Sequence, residues 1–361
     1  MLLNKVLQKE NNNLDVFRVI AAVMVIYGHA NAFLPGEGRG DIVARFLPFD
    51  YSGSLAVKLF FFLSGLVVTN SLIEKKDVYQ FVASRFFRLW PALTVVLVAW
   101  AFVIGPIVST NSFYEYFTNP QVYEYVFHGL IMDIRYDLPG VFQGGPTNAV
   151  NGSLWSIPFE VYAYIVLVAV FLLDAINSKP LMVVFFLVIV IDPIVGNKLL
   201  FTWLPQNPEV NLLAPCFAFG SLFAVFKDSI KINFKCLAGA CVVFYLFRAS
   251  LYNFYLFYAA FFYFIVFVSS RAWMLKFKPR FDVSYGMYLW GWPVQQIMAQ
   301  NFQPLGVLFN QISSVIIAAL LGYVSWRCIE FPFIKIGSKC ISRVADYRYK
   351  YLNISVVDNK L

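Results

Sequence analysis

The sequence contains little charge. Only 13% of its 361 residues are Asp, Glu, Lys or Arg, and 60% are hydrophobic, whereas a soluble domain carries about 25% charged residues. The apolar residues form continuous runs rather than an alternating pattern, and such runs indicate helices rather than barrel strands. The predicted class is therefore an all-α, polytopic integral membrane protein.

Several signatures of known chemistry are also absent. The sequence has no P-loop, no Rossmann glycine pattern and no HExxH motif. Its five cysteines show no metal-type spacing, so we predict neither a metal site nor disulfides. The net charge of +8 is typical of cytoplasmic loops in a membrane protein, and we predict no nucleic-acid partner. Function must then depend on polar residues inside the apolar runs.

The apolar runs predict about ten transmembrane helices. They lie at about 15–33, 55–73, 89–109, 154–173, 180–195, 211–226, 236–250, 252–270, 283–301 and 306–328. Together they form a transmembrane domain over residues 14–335, preceded by a cytoplasmic segment, 1–13, and followed by a basic cytoplasmic tail, 336–361. The segment 110–152 is rich in turn residues near its end and is predicted as a long outer-face loop.

The distribution of basic residues predicts the orientation. With the N-terminus inside, 22 of the 28 Lys and Arg residues fall on one side and 6 on the other. This bias places both termini in the cytoplasm. A cleaved signal peptide is an alternative for the first apolar run, because Lys5 and Lys9 precede it and Ala30-Asn31-Ala32 resembles a cleavage site. Arg18 and His29 fit such a leader poorly.

The first apolar run, LDVFRVIAAVMVIYGHANAF at 14–33, contains three ionisable residues. Arg18 and His29 are eleven residues apart, which is about three turns and about 16 Å along one face of a helix. Asp15 lies one turn before Arg18, where it can pair with it. A neutral imidazole can act as a base or as an acyl acceptor near pH 7. We predict that His29 is catalytic and that Asp15 positions Arg18; the alternative is a membrane-end arginine and a structural histidine.

Two further clusters occur at other apolar runs. In SRFFRLWP at 84–91, Arg85 and Arg88 share a helix face, and paired guanidinium groups suit phosphate binding; the alternative is that they are ordinary membrane anchors. In NGSLWSIPFEVYAY at 151–164, Ser153, Ser156, Glu160 and Tyr164 share one face. A carboxylate at the depth of Glu160 needs a partner or a wet cavity. Because we place it in the same outer half as His29, the two can pair; structural hydrogen bonding is the alternative.

Together these clusters resemble acyltransferase family 3, which includes enzymes that O-acetylate O-antigens and exopolysaccharides. Further matching segments are FFFLSGLVVTNSL, SYGMYLWGWPV at 284–294 and VSWRCIEFPF at 324–333, and the resemblance covers residues 14–335. The sequence departs from the family at Gly291, where many relatives have a histidine. Some relatives also carry a soluble hydrolase-like domain after the last helix, where we expect only the short basic tail here.

The resemblance implies transfer of an acyl group, usually acetyl from acetyl-CoA, to a hydroxyl of a glycan or lipid-linked saccharide at the outer face of a bacterial inner membrane. Polysaccharide-assembly proteins are then expected partners. On this reading Arg18, Arg85 and Arg88 bind the CoA phosphates, and His29, oriented by Glu160, activates the acceptor or carries the acyl group. Weaker candidates for substrate binding are Ser64, Asn151, Ser153, Trp155, Tyr164 and Tyr288.

A different class of protein also explains charge inside a membrane domain. A transporter or exporter of a small acylated or anionic metabolite would place such residues along its permeation path. We find neither an inverted repeat nor matching broken helices in the two halves of the sequence, which are typical of many transporters. The acyltransferase is therefore the preferred prediction.

Overall fold

The structure is a computed structural model that describes residues 1–34, 40–195, 200 and 208–352. Within these residues all regular structure is helical, apart from an isolated bridge between Leu2 and Lys231. The long helices are α1 (Leu14–Phe33), α2 (Ser52–Lys75), α3 (Val78–Ala99), α4 (Ile157–Leu172), α5 (Lys179–Val195), α6 (Leu213–Val225), α7 (Phe234–Leu246), α8 (Asn253–Ser269), α9 (Ser284–Phe302), α10 (Gly306–Ser325) and α11 (Phe331–Leu352).

Short helical segments connect these elements. They are Leu3–Val6, Lys9–Asn11, Ile42–Phe46, Phe113–Thr118, Gln121–Leu130, Gly152–Ser156, Ala175–Asn177, Pro208–Asn211, Ala272–Leu275 and Gln303–Leu305. A π-helical turn, Trp100–Ile104, continues α3 into Gly105–Val108, and a second, Trp326–Glu330, joins α10 to α11.

In the part of the chain that the structure describes, five helical stretches are long and apolar enough to cross a membrane: Leu14–Phe33, Ser52–Lys75, Val78–Val108, Gly152–Leu172 and Ser284–Arg348. A multi-pass membrane protein is therefore confirmed. The stretches Glu209–Val225, Phe234–Leu246 and Asn253–Ser269 are apolar but shorter than the roughly 20 residues that a straight span needs. The count of ten spans and the cytoplasmic placement of both termini remain predictions.

Local sequence explains where several helices begin. The Asp77 carboxylate accepts a hydrogen bond from the Gln80 amide at 2.9 Å, so α3 begins eleven residues before the predicted span at 89. Ser112 and Glu115 form a capping box for Phe113–Thr118. This segment and Gln121–Leu130 are two helices inside the predicted long loop that the sequence analysis missed, because they are too short to show a clear apolar period.

The tail predicted at 336–361 is helical as far as the structure describes it, because α11 continues without a break to Leu352. Arg348 near its end forms an ion pair with Asp77 at 3.1 Å. Residues 353–361 of the predicted tail lie outside the described residues.

The chain divides into two compact units. The first comprises Met1–Asn31, Gly38–Asn70 and Phe159–Ser284, and the second comprises Ala32–Glu37, Ser71–Pro158 and Tyr285–Leu361.

In the first unit, α2 and α6 cross at two glycines. A Cβ atom on Gly65 would lie 2.0 Å from the Phe217 carbonyl oxygen, and one on Gly220 would lie 2.2 Å from that of Phe62. Small residues let helices approach closely in membranes. The close crossing brings the hydroxyls of Thr69 and Ser221 to 2.8 Å.

Candidate active site

The predicted residues of the first cluster lie on α1, in the first unit. Because α1 is continuous from Leu14 to Phe33, Arg18 and His29 share one face about 16 Å apart. The Arg18 guanidinium donates to the Asp15 carboxylate at 3.2 Å, as the sequence predicted. His29 is half-buried, with its Nδ1 atom shielded from solvent.

The contacts of α2 and α8 give a common scale of depth for the first unit. The rings of Phe62 and Phe262 stack with their centroids 4.3 Å apart, and Lys58 lies over the ring of Tyr258. Residue n of α2 is therefore level with residue n + 200 of α8, and the two helices run in the same direction. Ser269 at the end of α8 is then level with Thr69.

Two contacts fix α1 on this scale. At one end, the Asn13 amide donates to the Ser269 carbonyl at 3.0 Å, so the start of α1 is level with Thr69. At the other end, Gly28 approaches the backbone of Gly53 so closely that a Cβ atom on it would lie 2.5 Å from the Gly53 nitrogen. Between these two contacts α1 advances fifteen residues, from 13 to 28. Over the same distance α2 runs in the opposite direction through sixteen residues, from 69 to 53. Arg18 is therefore level with Ser64, and His29 lies at the beginning of α2.

Glu160 of α4 is part of a hydroxyl cluster in the same unit. Its Oε1 atom accepts hydrogen bonds from the Tyr164 hydroxyl and, at 3.3 Å, from Ser64 Oγ. The Ser64 and Tyr164 hydroxyl oxygens are 3.1 Å apart. Ser64 and Tyr164 are buried, whereas Glu160 is half-buried. Three residues predicted separately as catalytic or substrate-binding thus come together.

The cluster is nearer in depth to Arg18 than to His29. Ser64 lies eleven residues beyond Gly53 on α2, which is about 16 Å along the helix from the level of His29. Within the described residues, the hydrogen-bond partners of Glu160 are Ser64 and Tyr164, and His29 is not among them. A direct bond between Glu160 and His29 is not observed, and a role for Glu160 in the reaction remains a prediction.

A buried ion pair near the His29 end of α1 was missed by the sequence analysis. Lys58 pairs with Asp50 at 3.1 Å, and the two side chains are 2% and 1% exposed. Lys58 also donates to Ser54 at 2.7 Å, and the Tyr258 hydroxyl donates to Asp50 at 2.6 Å. A buried charge needs such partners. The available signal was a lysine inside the apolar run that becomes α2.

Arg85 and Arg88 lie on α3, in the second unit. Arg85 is half-buried, and its Nε atom is shielded from solvent without a hydrogen-bond partner in the described part of the chain. An enclosed guanidinium nitrogen without an acceptor is costly, and an anion would satisfy it. Phosphate binding by Arg85 and Arg88 remains a prediction, and the environment of the Arg85 Nε atom favours it.

In the second unit, Asn151 completes a hydrogen bond that a proline interrupts. Pro293 has no amide hydrogen, so the Leu289 carbonyl four residues earlier in α9 loses its helical donor. The Asn151 side chain donates to this carbonyl at 2.8 Å and is fully buried. This contact gives Asn151 a structural role; its predicted role in substrate binding remains a prediction.

The chain before α4 follows α9 as an irregular segment, residues 147–151, which we call the strap. Besides Asn151, two side chains of α9 bind its backbone: Gln296 donates to Thr147 at 2.6 Å and Trp292 to Ala149 at 3.0 Å. The Tyr288 hydroxyl bonds to the Ser153 carbonyl and lies 2.6 Å from Ser156 Oγ. Irregular backbone in a membrane domain needs this internal pairing. Trp155, predicted for substrate binding, follows within Gly152–Ser156.

Metal chemistry was not predicted, and the part of the chain that the structure describes contains no group of three or more His, Cys, Asp or Glu residues able to hold a metal.

The family of the chain follows from comparison with known proteins. The model of acyltransferase family 3, described as an acyltransferase domain, matches residues 11–326. The chain belongs to this family, as the motifs predicted.

Three curated proteins illustrate the range of its relatives. An O-acetyl transferase of Shigella phage Sf6 is 26% identical over 359 residues, which cover 92% of this chain and 99% of the relative. Nodulation protein 10 of Rhizobium leguminosarum bv. viciae is 36% identical over 23% of the chain and 22% of its own length. Regulator of hypoxia-inducible factor 1 of Caenorhabditis elegans is 27% identical over 42% and 32%. No solved structure is significantly similar to the chain.

Proposed function

We propose that this protein transfers an acetyl group from cytoplasmic acetyl-CoA to a hydroxyl of a cell-surface glycan or glycolipid at the outer face of a bacterial inner membrane. The family supports acyl transfer, and the phage relative named an O-acetyl transferase supports acetyl as the group transferred. The resemblance of the motifs supports the proposed donor, acceptor and membrane.

The observation that carries the proposal is the arrangement of α1. One continuous helix holds a half-buried arginine and a half-buried histidine on the same face, about 16 Å apart. This separation suits a donor whose phosphates lie at Arg18 and whose pantetheine arm extends along the helix to a thioester at His29. Arg85 and Arg88 are further candidates for the phosphates.

In this mechanism Asp15 fixes the guanidinium of Arg18, and Arg18 binds phosphate through charge-assisted hydrogen bonds. His29 takes the proton of the acceptor hydroxyl as its oxygen attacks the thioester carbonyl. The carbon–sulfur bond then breaks, and the sulfur takes the proton from His29, so CoA leaves as the thiol and His29 returns to its neutral form. Alternatively, the imidazole attacks first and carries the acetyl group to the acceptor.

The test is acetyl-CoA binding and CoA release by the purified protein and two variants. We expect His29→Ala to retain binding and to lose about 10²–10⁴-fold in turnover, the usual contribution of a general base. We expect Arg18→Ala to weaken binding. The controls are His128→Ala and Arg135→Ala, which remove the same groups from an exposed cluster around Asp133. Absence of acetyl-CoA binding by the unaltered protein would contradict the proposal.

A further inference from the structure

The carboxylate of Glu160 is incompletely satisfied. Both of its hydrogen bonds fall on Oε1, whereas Oε2 accepts no hydrogen bond within the described residues. No basic side chain bonds to Glu160 in that part of the chain either. A carboxylate inside a membrane domain needs several donors. Since Glu160 is only half-buried, a donor from a ligand can reach it.

The cluster also lies at a depth between the two ends of the proposed donor path. Side chains of a helix point back towards its N-terminus, and the Arg18 guanidinium extends in that direction to Asp15. Ser64 is level with the backbone of Arg18, so the cluster of Ser64, Glu160 and Tyr164 lies beyond the guanidinium on the side of His29. An arm extending from Arg18 to His29 must pass this level.

The chemistry of that arm matches the cluster. Pantetheine carries two amide groups between its phosphate and its sulfur, and each amide offers one N–H donor. A carboxylate oxygen accepts such a donor, whereas it repels phosphate and gains nothing from a hydrocarbon chain. We infer that Glu160, supported by Ser64 and Tyr164, binds an amide N–H of the pantetheine arm of acyl-CoA. This inference rests on the proposed function.

The experiment pairs a substitution in the protein with a substitution in the ligand. The probes are CoA and two analogues in which one pantetheine amide is replaced by an ester, which removes one N–H. Dissociation constants are measured by titration calorimetry for the full chain in detergent and for Glu160→Met. Binding rather than turnover is measured, so no acceptor is required.

We expect the unaltered protein to bind one ester analogue about tenfold or more weakly than CoA, because a hydrogen bond to a charged group is lost. Glu160→Met should bind CoA weakly and lose most of this discrimination, and Glu160→Gln, which retains an acceptor, should restore part of it. The inference would be overturned if all three proteins discriminated equally between CoA and the ester analogue. The substitution in the protein and the substitution in the ligand would then be independent. Absence of discrimination in the unaltered protein would overturn it too.

Two further variants separate this inference from the proposed function. Arg18→Ala should weaken all three ligands equally, because their phosphates are identical. If the unaltered protein binds none of them, the proposed function and the inference both fail. If Arg18→Ala behaves as expected but Glu160→Met does not alter discrimination, the inference alone fails. Glu124→Met, on an exposed part of Gln121–Leu130, is the matched control. Glu160→Ala, which also removes the acceptor, serves as the test variant if Glu160→Met does not fold.

Discussion

The two units satisfy their buried polar groups in different ways. In the first unit, three pairs of polar side chains bond to one another: Lys58 with Asp50, Ser64 with Glu160, and Thr69 with Ser221, whereas the Asn13 side chain donates to the Met274 carbonyl. In the second unit, most of them bond to backbone carbonyls. Examples are Asn151 to Leu289, Trp292 to Ala149, Gln296 to Thr147, Asn310 to Gln295, Trp90 to Leu130 and Tyr285 to Leu89.

This difference separates two roles of buried polar side chains in a membrane domain. Side chains that bind carbonyls supply hydrogen bonds that interrupted or irregular backbone lacks, so the fold itself requires these residue types. Hydrogen bonds between two side chains supply none to the backbone, because helical backbone is already paired. Residues of the second kind are therefore better candidates for function. Exceptions in the second unit include Ser156 with Tyr288, Ser325 with Glu330 and Trp292 with Gln296.

The largest expected effect tests the charged pair of the first unit. Lys58→Met should destabilise the protein by about 3–5 kcal/mol, because it leaves the Asp50 carboxylate buried without its charge partner. The measurement is thermal unfolding in detergent, with monodispersity as a second readout. Asp50→Asn combined with Lys58→Met should recover much of the loss. Equal instability of the single and double variants would show that the pair is not the cause.

A smaller effect is expected where α2 and α6 cross. Gly65→Ala should cost at least about 1–3 kcal/mol, the usual range for overpacking, because the new methyl group meets a carbonyl oxygen of backbone. It should also separate Thr69 from Ser221 and so break a bond between side chains. Gly239→Ala is the control, since a Cβ atom there has no neighbour within 4 Å. Equal stability of the two variants would contradict the close crossing.

The repair of the backbone in the second unit has its own test. Asn151→Ala should cost about 1–3 kcal/mol because it leaves the Leu289 carbonyl buried without a donor. Pro293→Ala returns the missing amide hydrogen, so the double variant should regain most of the stability. Unfolding of the four proteins forms a double-mutant cycle. Additive losses would mean that Asn151 does not act through this carbonyl.

The smallest effect concerns the exposed capping box of Phe113–Thr118. Hydrogen bonds from the Ser112 side chain and backbone lower the pKa of the Glu115 carboxyl from its ordinary value of 4.5. The ionised form is therefore favoured in the folded helix. Its stabilisation is present above the ordinary pKa and is lost as pH falls through the lowered one.

Hydrogen-exchange protection of the Glu115 amide, corrected for intrinsic rates, should show this loss at acidic pH. Glu115→Gln keeps an acceptor that does not titrate, so its protection should be independent of pH in this range. The same pH dependence in both proteins would assign the effect to another group.

Much of the fold was predictable because apolar runs are long and local in sequence. The motifs around Arg18 and His29, and the Asp15–Arg18 pair, need only the geometry of one helix. The contact of Glu160 with Ser64 joins residues 96 positions apart, and the role of Asn151 depends on a proline far along the chain. Such contacts follow from how helices pack, which a hydrophobic pattern does not specify. Sequence reasoning therefore predicted candidate residues and the Asp15–Arg18 pair, but not the contacts that join Glu160 to Ser64 or Asn151 to Leu289.

The strap has a consequence for biosynthesis. Asn151 and its acceptor Leu289 are 138 positions apart, so Asn151 leaves the ribosome about 7–28 s earlier at typical rates of chain elongation. During that interval the polar backbone of 147–151 has no α9 to bind and must hydrogen-bond to water instead. Insertion of α9 into the bilayer and docking of the strap are then one late event. A chain truncated before α9 would leave the strap without these hydrogen-bond partners.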